Sequence, residues 1–144
     1  MKQEDKELLL KDLGARLRYR VKVTTTNPSV ELGVISGISI ENKISVRTKH
    51  ADIVFDCTEV KPYLRPMSSM TEEEDKERIQ LGIWRSSQIN NYEVTRISPD
   101  ISESYNSQAF QNALDFLFKK HFDIFGLIPK GLAIAVTKEN NPYN

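Results

Sequence analysis

Cysteine is nearly absent from this chain. Cys57 stands alone in 144 residues, so no intramolecular disulfide can form, which suits a reducing compartment. Histidine is almost as scarce, with only His50 and His121. A zinc site needs about four ligands, usually in short paired spacings. One cysteine and two distant histidines supply no such pattern, and no metal or cofactor is expected. Long apolar runs are missing too: Leu8-Leu9-Leu10 near the start and Leu132 to Val136 near the end fall far short of the ~20 residues of a membrane helix. The densely charged start, Met1 to Glu7, carries no signal-peptide core, so a cytoplasmic protein with no membrane partner is expected. The glycines form neither a dinucleotide fingerprint nor a P-loop.

Net charge is absent as well. Twenty basic and twenty acidic residues cancel, leaving no global field to draw the chain onto a polyanion. The distribution is uneven, however. From Gly14 to Pro66 there are nine Lys/Arg against five Asp/Glu, and from Met67 to Ile83 two against five. A local basic surface therefore remains available.

What the chain does contain is ordinary globular material, 39% hydrophobic and of a length that fits one domain, 1–144. Leu9, Leu13 and Leu17 recur every four residues with Leu10 beside them, which predicts an amphipathic helix over 2–17. The period then drops to two. Arg16, Arg18, Arg20 and Lys22 alternate with Leu17, Tyr19, Val21 and Val23, as in a half-buried strand. Turn chemistry at Asn27-Pro28-Ser29 and at Glu41-Asn42-Lys43 separates further β-branched runs at 30–40, 44–47 and 51–55. Gly33 and Gly37 mark a bulge or bend in the second run. A sheet over about 18–60 follows, as a meander, a small curled sheet or an SH3-like barrel.

Lys61 to Met70 reads as an extended connector, because residues before proline avoid the helical region. Thr71 with Glu74 makes a capping box that opens a short polar helix, stopping at Gly82. Beyond it, 71–144 is helical and mixed. Tyr92 to Ile97 is a short strand candidate within the poorly patterned 84–104 stretch. Phe110, Leu114, Leu117, Phe118 and His121 define a helix over 107–121, and Leu132 to Val136 a last strand. The fold class expected is α+β: a small antiparallel sheet packed by N-terminal and C-terminal helices.

No catalytic constellation emerges. Cys57 is flanked by Asp56 and Glu59, whose charge disfavours a thiolate, so it reads as a small core residue. Ser68 and Ser69 lack a nucleophile elbow and read as turn residues. The carboxylates of Glu72 to Glu77 point in several directions along a helix and cannot converge on a cation. The chain is therefore expected to be non-enzymatic. The best binding signal is basic: Arg16, Arg18, Arg20 and Lys22 on one strand face, with Arg47 and Lys49, would match the phosphates of DNA or RNA. Set against it is a solvated edge protected by positive charge.

Three segments carry a resemblance: Lys6 to Leu17, Lys61-Pro-Tyr-Leu-Arg-Pro-Met-Ser-Ser-Met-Thr-Glu-Glu-Glu74, and His121-Phe-Asp-Ile-Phe-Gly-Leu-Ile-Pro-Lys-Gly-Leu-Ala-Ile134. In this order they resemble a family of short uncharacterised proteins of prophages and mobile elements in gut bacteria. The resemblance implies a phage-accessory context and brings no catalytic or ligand residues with it. Relatives tend to have Pro-Tyr-Gly in place of Arg18-Tyr19-Arg20, often Tyr-Arg in place of Ile124-Phe125, and an acidic residue in place of Pro129, which makes the basic stripe particular to this chain. An accessory protein that binds a host or phage macromolecule is the first expectation, with Tyr63, Leu64, Arg65 and Met67 as exposed contacts on the connector. A nucleic-acid-binding module is the alternative.

Overall fold

The sequence from Gln3 to Ala15 forms helix α1, and Leu9 and Leu13 are fully buried on its inner face. The computed structural model describes residues 1–30, 32–80, 112 and 114–143. Their contacts divide the chain into two compact units, Met1–Leu64 with Leu127–Asn144, and Arg65–Gly126.

In the first unit five strands follow α1: β1 (Lys22–Thr25), β2 (Gly33–Ile38), β3 (Lys43–Arg47), β4 (Asp52–Asp56) and β5 (Val60–Leu64). The strand β6 (Ile134–Ala135) returns late in the chain. Together they make one open sheet in the order β4-β3-β2-β1-β5-β6, antiparallel except for the parallel β5–β6 pair. The α+β class is as expected. Among the described residues the sheet stays open, with β4 and β6 at its edges.

Alternation sorts the residues. Val23, Ile35, Ile44, Val46 and Phe55 are buried in a cluster that takes in Leu9 and Leu13 of α1 and Leu127 and Leu132 from the C-terminal stretch. The opposite face carries Lys22, Val34, Arg47 and Asp52, aligned across four strands by the register Lys22↔Val34↔Arg47↔Asp52. The expected irregularity in β2 is present, a shift of register between Ile35 and Gly37. The β2–β3 turn places Asn42 at φ 61, a conformation that asparagine tolerates.

Two expectations need correcting. The two-residue alternation from Arg16 is not a strand. The helix tightens instead into a 3-10 turn over Leu17–Tyr19, Arg20 takes left-handed φ and ψ of 55° and 46°, and only Lys22 of the basic series lies in β1. The physical cause is that Arg16 is spent on the helix end, where its side chain folds back onto Asp12 one turn earlier. Nor is Lys61 to Leu64 a connector. It is strand β5, paired with β1 on one side and β6 on the other. Pro62 sits opposite Val23 within this strand, so proline there has not prevented sheet formation.

In the second unit, α2 spans Glu72–Gln80. The predicted capping box is formed: Thr71 N–H donates to Glu74 Oε1 at 3.0 Å, and Glu74 N–H donates to Thr71 Oγ1 at 3.2 Å. Residues 112 and 114–119 are helical. This helix ends before His121, which the periodicity had placed on it. His121 takes φ 65, its N–H donates to the Phe118 carbonyl, and Phe122 N–H donates to the Leu117 carbonyl. These two bonds make a Schellman ending with histidine in the position where glycine is common. The Gly82 stop, the Tyr92–Ile97 strand, Phe110 and the start of the 107–121 helix lie outside the described residues. No helix among the described residues is long and apolar enough to cross a membrane.

Candidate functional site

Four of the six expected nucleic-acid contacts converge. Arg20, Lys22, Arg47 and Lys49 line one groove of about 420 Å³ on the solvent face of the sheet, together with Leu17, Leu32, Val34, Ser36 and Thr48. The register explains the convergence. Lys22 and Arg47 are the two Cα neighbours of Val34, so β1 and β3 place one cation on each side of β2. Arg20 and Lys49 extend the two rows just outside the strands. The floor between them is Val34, half-buried, and Leu32, whose exposure of 39% makes it one of the few large apolar side chains open to solvent. Arg47 Nε also pairs with Asp52 Oδ1 at 3.1 Å, both ends well exposed, so the groove has a carboxylate at its β4 side.

The other two basic residues do not join them. Arg16 is wholly buried, with Nη2 donating to Asp12 Oδ2 at 3.0 Å, and it cannot reach a ligand. Arg18 lies over the Tyr19 ring, 4.8 Å from its centroid, and donates to the Tyr19 hydroxyl.

The expected exposed contacts at 63–67 are corrected by burial. Leu64 is fully buried in the sheet core and Met67 is 2% exposed. Tyr63 offers its carbonyl to the Tyr143 hydroxyl at 2.7 Å. Arg65 grips Glu74 through two hydrogen bonds of 2.7 and 2.8 Å and donates to the Ser69 carbonyl at 3.1 Å. Its guanidinium also lies 4.3 Å from the centroid of the Phe122 ring, and backbone bonds tie Arg65 to His121 and Asp123. The Arg65 hydrogen bonds hold the Glu74 carboxyl down at about 2, against the partial burial that raises it. Arg65, Thr71, Glu74 and Phe122 therefore meet here as structure.

Cys57 is buried at 4% within the core cluster, as expected of a small apolar residue. Its acidic neighbours serve the turn between β4 and β5. Asp56 accepts from Thr58 N–H, and Glu59 accepts from Asp56 N–H at 2.9 Å. The Thr58 hydroxyl, with help from Lys43, lowers the Asp56 carboxyl to about 2. His50 is exposed in the β3–β4 turn and His121 is half-buried. Among the described residues no group of three or more His, Cys, Asp or Glu could hold a metal.

Sequence reasoning missed two features. Asp12 and Arg16 form a fully buried ion pair on α1, and the signal was available: Leu9, Asp12, Leu13 and Arg16 fall at i, i+3, i+4 and i+7, the spacing of one helix face. Tyr143, far along the chain, has no local signal. Its hydroxyl accepts from Lys22 N–H at 3.0 Å and donates to the Tyr63 carbonyl, bridging β1 and β5 beyond their last paired residues. Burial pushes the Tyr143 phenol up to about 12. Comparison with protein-family models, with curated proteins and with solved structures finds no significant match, so what the groove can hold follows from its own residues.

Proposed function

We propose that this protein is a non-enzymatic binding module whose ligand is nucleic acid, held by Arg20, Lys22, Arg47 and Lys49 on the solvent face of the sheet. The observation that supports this reading best is convergence: cations from two separate stretches, 20–22 and 47–49, line one open groove. The hydroxyls of Ser36 and Thr48 in the same lining donate within the protein, to Ser45 and to the Ala51 carbonyl, which leaves the four cations as the groups that face phosphate. A role as an accessory protein of a phage or mobile element fits the family resemblance. The alternative, a protein partner at 63–67, is less well supported, because Leu64 and Met67 are buried and only Tyr63 and Arg65 stay half-buried.

With zero net charge, binding here depends on local cations and on release of counterions from the phosphates they neutralise. Asp52 offsets part of Arg47, so about three phosphates are effectively neutralised. The logarithm of affinity should fall with the logarithm of salt at a slope of about −2 to −3. Fluorescence anisotropy with labelled DNA and RNA between low and physiological salt reads this directly. Lys22→Glu with Lys49→Glu should abolish the slope. Absence of binding at low salt, or binding that the double variant leaves intact, would remove the proposal.

A further inference from the structure

We infer that the groove takes single-stranded nucleic acid in preference to duplex, lying along β2; this rests on the nucleic-acid reading above. The groove has cationic sides and an apolar floor. Lys22 on β1 and Arg47 on β3 flank Val34 on β2 in one register row, so their Cα lines are two strand spacings apart, about 10 Å. Between them Leu32 and Val34 present apolar surface, and Ser36 a hydroxyl. A duplex offers such a face its phosphate ridges while its bases stay stacked inside, and phosphates gain nothing from Leu32 or Val34. A single strand can lay its backbone against a cationic row and turn unstacked bases onto the apolar floor.

The groove is also bounded. The Asp52 carboxylate, paired with Arg47 at 3.1 Å, stands beyond the β3 row and repels phosphate there. A ligand is thereby confined to the width of β1 to β3, which suits one chain. The six residues of β2 span about 20 Å, enough for a few nucleotides. No aromatic side chain among the described residues lines the groove, so no stacking contribution of about 1–3 kcal/mol per base is expected from them and base preference should be weak.

The test uses the full chain with two fluorescein-labelled probes, an oligo-dT of about twelve nucleotides and a mixed-sequence duplex of the same length. At low salt the single strand should bind measurably more tightly than the duplex. Leu32→Ser, at an exposed position, should weaken single-strand binding several-fold and leave duplex binding unchanged. Equal or tighter binding of the duplex overturns the single-strand inference and leaves the basic groove standing. An unchanged single-strand affinity in Leu32→Ser also overturns it. Failure of both probes to bind overturns the nucleic-acid reading itself.

Discussion

Gly33 faces the core at the start of β2, opposite Val23 and against Val46. A Cβ built there would overlap Val46 Cγ1 and lie 3.2 Å from the Arg47 carbonyl oxygen. Valine is stiff about χ1 and cannot swing clear, so β2 and β3 would have to part. Gly33→Ala should cost about 1–3 kcal/mol in denaturant unfolding and should weaken ligand binding as well, since Arg47 rides on the displaced strand. The buried Asp12–Arg16 pair makes the second residue-level prediction. Asp12→Asn removes the carboxylate that pairs with the buried guanidinium, at a cost of about 3–5 kcal/mol. Replacing both residues by leucine should recover most of that loss in the same assay.

At the scale of elements, two seams carry the argument. The capping box of α2 also receives Arg65, and the low value of about 2 for Glu74 has a consequence for pH. A depressed folded pKa means that the unfolded chain binds protons first as acid is added. The contribution of Glu74 is therefore full above its ordinary value of 4.5 and fades as pH falls toward about 2. Unfolding measured across that window should show a loss of stability that Glu74→Gln reduces. The seam between β1 and β5 behaves in the opposite sense. Tyr143, raised to about 12, stays neutral in the folded protein while the unfolded chain ionises near 10. Stability should fall as pH rises from about 10 to about 12, and Tyr143→Phe should remove that dependence. At neutral pH the same change strands Lys22 N–H and the Tyr63 carbonyl, costing about 1–3 kcal/mol. Elements with a strong local signal were legible in the sequence: α1 from its leucines, the capping box, and the β2 irregularity from its glycines. The basic alternation misled because residues 16–20 satisfy two periods at once. Arg16 lies on the helix face as well as in the alternating series, and the helix face prevails because Asp12 stands one turn before it. Proline concealed β5, whose place in the sheet depends on β1 and β6, both distant in sequence.

At the scale of the whole molecule, a charge-neutral chain gathers Arg20, Lys22, Arg47 and Lys49 on one sheet face. The composition could reveal the surplus between Gly14 and Pro66 but not which members of it meet. That depended on register, which brought Lys22 and Arg47 beside Val34, and on burial, which withdrew Arg16. The segment once expected to hold exposed contacts is structural, so Leu64→Ala should lower stability by about 2–5 kcal/mol with no specific effect on ligand affinity. The most direct test is an NMR titration of the isotope-labelled chain with a short oligonucleotide, followed through backbone amide shifts. The account predicts perturbations concentrated at residues 20–22, 32–36 and 47–49, fading as salt is added. Shifts centred on 63–67 instead, or none at any salt concentration, would contradict it.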